Sequence, residues 1–79
     1  MSDILTHNEA GVLTITFNRP ERKNSITRDM YSALSQALAG AAQDDAVRVV
    51  VLQGAEVVFT AGNDIADFLQ HPPTDLEAP

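Results

Sequence analysis

The 79-residue sequence has no cysteine, few basic residues and no long apolar run. Without cysteine, no disulfide can reinforce the core, which in a chain this short buries only roughly 60% of the surface that the unfolded chain exposes. The absence of cysteine also fits the reducing cytoplasm, where we predict that the protein is located. Residues 1–3 lack the basic start of a signal peptide, and no apolar run is long enough to cross a bilayer. We therefore expect no membrane partner.

Positive charge is scarce and unevenly distributed. Five basic residues face eleven acidic ones, for a net charge of −6. Nucleic acid is therefore not expected as a partner, because its phosphates are bound by basic surfaces. Most of the cations fall within residues 19–28, namely Arg19, Arg22, Lys23 and Arg28. This cluster is a candidate anion site, and a solvated loop beside a helix is the alternative.

The pattern of apolar residues predicts an α/β fold. Residues 4–7 and 12–17 are β-prone and flank a glycine-containing turn, which predicts a β-hairpin. A helix is predicted over residues 27–42, with Thr27 as its N-cap. The β-branched run 47–52 predicts a strand covered on both faces, as in a parallel sheet. Strand, helix and strand together form a β-α-β crossover.

The last part of the chain is predicted to hold a turn, a short helix and a tail. Residues 64–70 favour a C-terminal helix with Asp64 as its cap. Residues 1–70 then form one folded unit, and residues 71–79, with three prolines, are predicted to be a mobile tail.

Side-chain catalysis is not visible in the sequence. His7 and His71 have no serine, cysteine or acid at a recognisable spacing, and a metal site would need more ligands. The glutamates fall in turns, connecting loops and the tail, and none is placed for general-acid work. The turn at residues 61–64 instead provides backbone N–H groups as candidate hydrogen-bond donors to a ligand. An N–H that points out of such a turn suits a site where negative charge develops on oxygen.

Four segments, taken in order, resemble the opening of the enoyl-CoA hydratase/isomerase (crotonase) family. They are residues 11–20 (GVLTITFNRP), 23–26 (KNSI), 47–54 (VRVVVLQG) and 59–65 (FTAGNDI). The resemblance extends to about Phe68 and implies the start of the ββα spiral of that family. The Gly-Asn-Asp-Ile form of the last segment is particularly similar to Δ3,Δ2-enoyl-CoA isomerases.

The resemblance also implies site residues. The substrate would be an acyl-CoA thioester, with no separate cofactor and no metal. The Asn63 backbone N–H would be one of two donors that hold the thioester oxygen as an enolate forms. Arg22 and Lys23 would meet coenzyme A phosphates. The remaining substrate-binding positions would be Asn24 and Ser25 along the pantetheine, Ala61, Gly62, Asp64 and Ile65 around the adenine and thioester, and Phe68 near the acyl chain or in the core.

Members of this family are much longer than 79 residues. The resemblance therefore implies that the chain is the N-terminal portion of an enzyme whose full form is a homotrimer or hexamer, and that it is inactive alone. The second oxyanion donor and the catalytic glutamates would come from later sequence. Hydratase and isomerase chemistry both remain open. A short acyl-CoA-binding module without chemistry and an interaction domain of the same fold are the alternatives. If the strand at residues 47–52 is bare, the chain should self-associate or stay loosely packed.

Overall fold

The computed structural model describes residues 3–70, which form a three-stranded sheet and two α-helices. The elements in chain order are β1 (Ile4–Glu9), β2 (Val12–Phe17), α1 (Arg28–Ala42), β3 (Val49–Gly54) and α2 (Ile65–Gln70). The strands lie in the order β1-β2-β3, with β1 antiparallel and β3 parallel to β2. The predicted hairpin, β-α-β crossover and short C-terminal helix are confirmed. The predicted tail at residues 71–79 lies outside the described residues.

The hairpin turn is tighter than the sequence predicted. Glu9 pairs with Val12, so only Ala10 and Gly11 form the turn, with φ angles of +53° and +81°. Two consecutive positive φ angles match the twist of the flanking strands, as in a type I′ turn. The prediction ended β1 at His7 because the polar residues that follow have low strand propensity. Backbone pairing with β2 overrides that propensity.

The core lies between the hairpin and α1. Alternate residues of β2, Leu13, Ile15 and Phe17, point to one face of the sheet and are buried. Ile4 of β1 and Met30 of α1 complete the buried apolar cluster. The side of α1 that packs on it is formed by small or half-buried residues, namely Ala33, Leu34, Ala37 and Ala41. Leu38, one helical turn after Leu34, is exposed.

Helix α1 begins as predicted. The Thr27 hydroxyl oxygen accepts a hydrogen bond from the Met30 N–H at 3.2 Å, which satisfies a backbone donor of the first turn. Asp29 lies in that turn, where its charge complements the helix dipole. The cap therefore fixes where the chain leaves the loop after β2 and enters the helix.

Strand β3 is displaced from its predicted position and is not covered as predicted. It starts at Val49, because its parallel register pairs Val49 with Val12 and Gly54 with Phe17. The side chains of residues 49–52 are 38–52% exposed. Helix α1 packs on β1 and β2 and leaves β3 open. The prediction of cover on both faces is thus wrong for the part of the chain that the structure describes.

We predict opposite effects of alanine at two glycines. At Gly54, a Cβ would lie 2.2 Å from the Val58 carbonyl oxygen and 2.3 Å from the Phe59 carbonyl oxygen, where the chain folds back over β3. Gly54→Ala should therefore lower the free energy of unfolding by about 1–3 kcal/mol. At Gly40, inside α1, no atom beyond the neighbouring residues and the local helix backbone lies within 4 Å of the added Cβ. Gly40→Ala should stabilise the chain by about 0.5–1 kcal/mol. Urea denaturation measures both, and a neutral Gly54→Ala would contradict the close approach.

Candidate functional site

The candidate site is built from two loops that leave the same edge of the sheet. Because β2 and β3 are parallel, residues 18–27, after β2, and residues 55–64, after β3, start side by side. The first loop opens with a single turn of 3-10 helix, Pro20–Arg22. Proline suits this turn, since it fixes φ and its missing N–H is not needed at a helix start. Two loops from neighbouring strands can thus form one surface.

A fully buried asparagine joins the loops. The Asn24 side-chain amide donates to the carbonyl oxygens of Ala55 at 3.0 Å and Val58 at 2.6 Å, and its oxygen accepts from the Arg19 N–H at 2.8 Å. Its φ of +57° is one that asparagine tolerates better than most residues. The Thr60 hydroxyl donates to the Asn24 carbonyl oxygen at 2.7 Å. The predicted pantetheine contact of Asn24 is untested, but its side chain is occupied in holding the loops together.

An ion pair forms a second connection between the loops. Arg19 Nη1 lies 2.7 Å from Asp64 Oδ2 and also donates to the carbonyl and hydroxyl oxygens of Ser25, at 3.1 and 3.0 Å. The Arg19 and Asp64 side chains are 17% and 4% exposed. Arg19 is therefore a structural cation. The exposed part of the predicted cation cluster is reduced to Arg22, Lys23 and Arg28.

Asp64 is both an ion-pair partner and a helix cap. The Asp67 N–H donates to Asp64 Oδ1 at 2.9 Å, which confirms the predicted capping of α2. This backbone hydrogen bond, followed by that from Arg19, lowers the pKa of Asp64 from 3.8 to about 2. Burial opposes the shift. Arg22, at 3.8 Å from Asp64 Oδ2, adds to it. The carboxylate stays ionised and cannot act as a general acid near neutral pH.

The backbone N–H of Asn63 is free. An isolated parallel bridge joins Asn63 to Ile26: the Ile26 N–H donates to the Gly62 carbonyl at 2.7 Å, and the Asp64 N–H donates to the Ile26 carbonyl at 2.9 Å. In this pattern the N–H of the central residue points to the opposite side. Within residues 3–70, the Asn63 N–H has no acceptor. The bridge fixes its direction while leaving it open to a ligand.

The Asn63 side chain is held by α1. Its amide oxygen accepts a short hydrogen bond from the Tyr31 hydroxyl. Nearby, the Arg28 N–H at the start of α1 donates to Asp67 of α2 at 2.7 Å. These two contacts join the start of α1 to the second loop and to α2. The sequence offered no sign of them, since they link residues more than thirty positions apart.

The other predicted site residues lie around this framework. Arg22 and Lys23 are exposed, and the Ala61 N–H donates to the Lys23 carbonyl oxygen at 3.0 Å, which brings both loops into contact. Gly62 has a φ of +94° and is half-buried. Ile65 and Phe68 of α2 are 73% and 47% exposed, so within the described residues Phe68 is not part of the core. The arrangement thus combines exposed cations, a free backbone donor and exposed apolar side chains.

Residues 3–70 hold neither a cluster of metal-binding side chains nor a membrane-spanning helix. No group of three or more histidine, cysteine, aspartate or glutamate side chains is placed to hold a metal ion. None of the helices in the same range has the length and apolar character needed to cross a bilayer.

Comparison with known proteins gives consistent results. A sequence model described as enoyl-CoA hydratase/isomerase matches residues 7–78. The 1,2-epoxyphenylacetyl-CoA isomerase of Escherichia coli is 45% identical over 67 residues, which are 85% of this chain and 26% of that protein. The human enoyl-CoA delta isomerase 2 is 36% identical over 74 residues, or 94% of this chain and 18% of that protein. The chain therefore spans about a quarter or less of these two relatives.

Solved structures show the same backbone. OdaA of Pseudomonas aeruginosa superposes with a TM-score of 0.90 at 44% identity, over 100% of this chain and 32% of that chain. An enoyl-CoA hydratase/isomerase from Pseudoalteromonas atlantica gives a TM-score of 0.86 at 37% identity, over 99% of this chain and 31% of that chain. The hairpin, crossover and short helix thus correspond to about one third of a larger fold.

We predict that Asp64 contributes a pH-dependent part of the stability. Its pKa is lower in the folded chain than the ordinary 3.8, so its contribution is complete above about pH 4 and is lost as the pH falls through about 2. Asp64→Asn should therefore be less stable than the parent at neutral pH, and the two should converge near pH 2. Urea midpoints measured across this range test the prediction. Asp45→Asn, at an exposed position outside the network, is the control. A difference between Asp64→Asn and the parent that does not change with pH would contradict it.

Proposed function

Since the chain belongs to the enoyl-CoA hydratase/isomerase family, we propose that it supplies the N-terminal part of the active site of an acyl-CoA enzyme. The complete protein would hydrate or isomerise a double bond through a thioester enolate. The observation that carries the proposal is the free and oriented N–H of Asn63. Both hydratases and isomerases occur among the similar proteins, so the proposal covers either reaction.

The Asn63 N–H suits a developing oxyanion. When a proton leaves the carbon next to a thioester, negative charge moves to the carbonyl oxygen, and a donor already directed at that oxygen stabilises the transition state. The bridge to Ile26 and the buried Asn24 amide hold the loop, so little reorganisation is needed at the moment of reaction. Removal of one such donor typically raises the barrier by about 3 kcal/mol.

Coenzyme A would lie along the first loop. Arg22 is 56% exposed and Lys23 is exposed beside it, so both can reach phosphate oxygens, whereas Arg19 is engaged with Asp64. Arginine offers a planar fork of donors and lysine a point charge, and both are common at phosphates. Phe68, which is exposed and apolar, would contact the acyl chain, and Ile65, also exposed, would lie near the adenine and thioester.

The proposal divides the chemistry between this chain and further sequence. A second oxyanion donor and the acid-base groups would come from the remainder of a longer protein, a homotrimer or hexamer that acts in the cytoplasm. The 79-residue chain alone would bind without turnover. An acyl-CoA-binding module with no chemistry is the alternative. One observation favours it: the carboxylate next to Asn63, that of Asp64, has a lowered pKa and accepts a hydrogen bond from Arg19, so it is not available for acid-base chemistry.

Titration of the isotope-labelled chain with a non-reactive acyl-CoA thioether tests the site. We predict that the amide resonance of Asn63 moves more than that of Asp64, because the Asn63 N–H is free and the Asp64 N–H is bonded to Ile26. Unlabelled coenzyme A without an acyl chain serves as the control for binding at the phosphates alone. Equal shifts at Asn63 and Asp64, or none at Asn63, would contradict the oxyanion assignment.

Charge variants test the coenzyme A contact. Replacing both Arg22 and Lys23 by glutamine should weaken coenzyme A binding by about tenfold, since the two exposed charged contacts to phosphate together contribute on the order of 1.4 kcal/mol. Arg48→Gln, which removes a cation outside the loop, is the matched control. Calorimetry measures the affinity. Equal losses from the double variant and from Arg48→Gln would indicate non-specific attraction of the anion.

A further inference from the structure

We propose that Tyr31 of α1 is a positioning residue for the acyl-CoA site. Its hydroxyl donates to the side-chain amide oxygen of Asn63. Through this contact it keeps the Gly62–Asn63 peptide in the orientation that presents the Asn63 N–H to a ligand. What the N–H binds rests on the proposed function, whereas the restraint on the peptide does not.

The Gly62–Asn63 peptide is held at one end by a hydrogen bond. A trans peptide carries its C=O and N–H in one plane, and the two groups point in opposite directions. The Gly62 carbonyl accepts from the Ile26 N–H at 2.7 Å, so the Asn63 N–H of the same peptide points away from Ile26. A rotation of this plane would break that hydrogen bond and turn the N–H away from the ligand.

Gly62 itself offers little resistance to such a rotation. Its φ is +94°, and a Cβ built there would meet no atom beyond its chain neighbours within 4 Å. Its N–H donates to the Thr60 hydroxyl at 3.1 Å, but this group belongs to the preceding peptide. Because glycine adopts a wide range of backbone angles, the plane is not restrained from this side. Further restraint has to come from Asn63.

Tyr31 supplies this restraint together with the bridge. The Tyr31 hydroxyl holds the Asn63 side chain, and the Asp64 N–H, which donates to the Ile26 carbonyl at 2.9 Å, holds the following peptide. With both held, the plane can turn only by changing the φ of Asn63. That φ is negative, and half a turn would make it positive, which is unfavourable for a residue with a Cβ.

The two points of attachment come from one short segment. Ile26 forms the bridge, and Tyr31 lies five residues later, in the first turn of α1. The Tyr31 N–H donates to the Thr27 carbonyl at 3.0 Å, so the helix fixes the spacing between the two. The Arg28 N–H, which donates to Asp67 at 2.7 Å, keeps this helix start against α2. The segment thus contacts the second loop by its backbone at one end and by a side chain at the other.

Nuclear magnetic resonance of the unliganded chain tests the restraint. Tyr31→Phe removes only the hydroxyl, and we expect exchange broadening of the amide resonance of Asn63 and a change in its N–H to Cα–H coupling, which reports φ. Ser32→Ala, which removes a hydroxyl at the next exposed position of α1, is the matched control and should change neither. No change in Tyr31→Phe, or equal changes in both variants, would overturn the proposal.

Calorimetry with hexanoyl-CoA tests the consequence for binding. This saturated thioester has the carbonyl oxygen but no double bond to react, and coenzyme A lacks the thioester carbonyl. Tyr31→Phe should weaken hexanoyl-CoA binding by about threefold, which is within the effect expected for one net hydrogen bond. It should leave the affinity for coenzyme A unchanged. Equal weakening for the two ligands would show that Tyr31 does not act through the Asn63 N–H.

Asn63→Ala shows whether Tyr31 acts through the Asn63 side chain. This variant keeps the backbone N–H and removes the amide that Tyr31 holds. The two single variants and the double variant Tyr31→Phe/Asn63→Ala should bind hexanoyl-CoA with the same reduced affinity, because two residues of one contact are not additive. Losses that add would overturn the proposal.

Failure of the proposed function has a different signature. A parent chain that binds hexanoyl-CoA no more tightly than coenzyme A would contradict the oxyanion assignment. The resonances of the unliganded chain would then still decide whether Tyr31 restrains the peptide.

Discussion

The site depends on the hydrogen bonds of the buried Asn24 side chain. Two loops leave neighbouring parallel strands, and nothing in the strands themselves forces the loops to stay together. Asn24 connects the Arg19 N–H of one loop with the Ala55 and Val58 carbonyls of the other. Loss of this amide would leave buried backbone groups without partners, at about 1–3 kcal/mol for each group. The ion pair between Arg19 and Asp64 then aligns the start of α2.

The sequence predicted correctly those parts of the fold that depend on the propensities of a few adjacent residues. The strand at residues 12–17, the Thr27 cap and the Asp64 cap each depend on a few adjacent residues, and each is confirmed. The errors concern the ends of β1 and β3, which are set by hydrogen bonding to the neighbouring strand. Strand β1 extends to Glu9 because β2 lies beside it, and β3 begins at Val49 because its register with β2 begins there.

The site was only partly predictable for the same reason. Charge counting grouped Arg19 with Arg22 and Lys23, since they are close in the sequence. Only the folded chain places Asp64, forty-five residues after Arg19, in contact with it and so separates a structural cation from the exposed ones. The Tyr31 contact with Asn63 was missed because a tyrosine on an exposed helix face carries no distinguishing pattern. The coenzyme A roles of these residues remain predictions from family resemblance.

The free Asn63 N–H belongs to the main chain, and this affects how the site would respond to mutation. Any residue except proline supplies the same N–H, so the proposed oxyanion donor would be retained in most substitutions of Asn63. An alanine scan of the two loops would be misleading. It would single out Asn24 and Arg19, which are occupied by protein contacts, and would pass over the donor itself. In such a site, the residues most sensitive to replacement are those that hold the backbone in place.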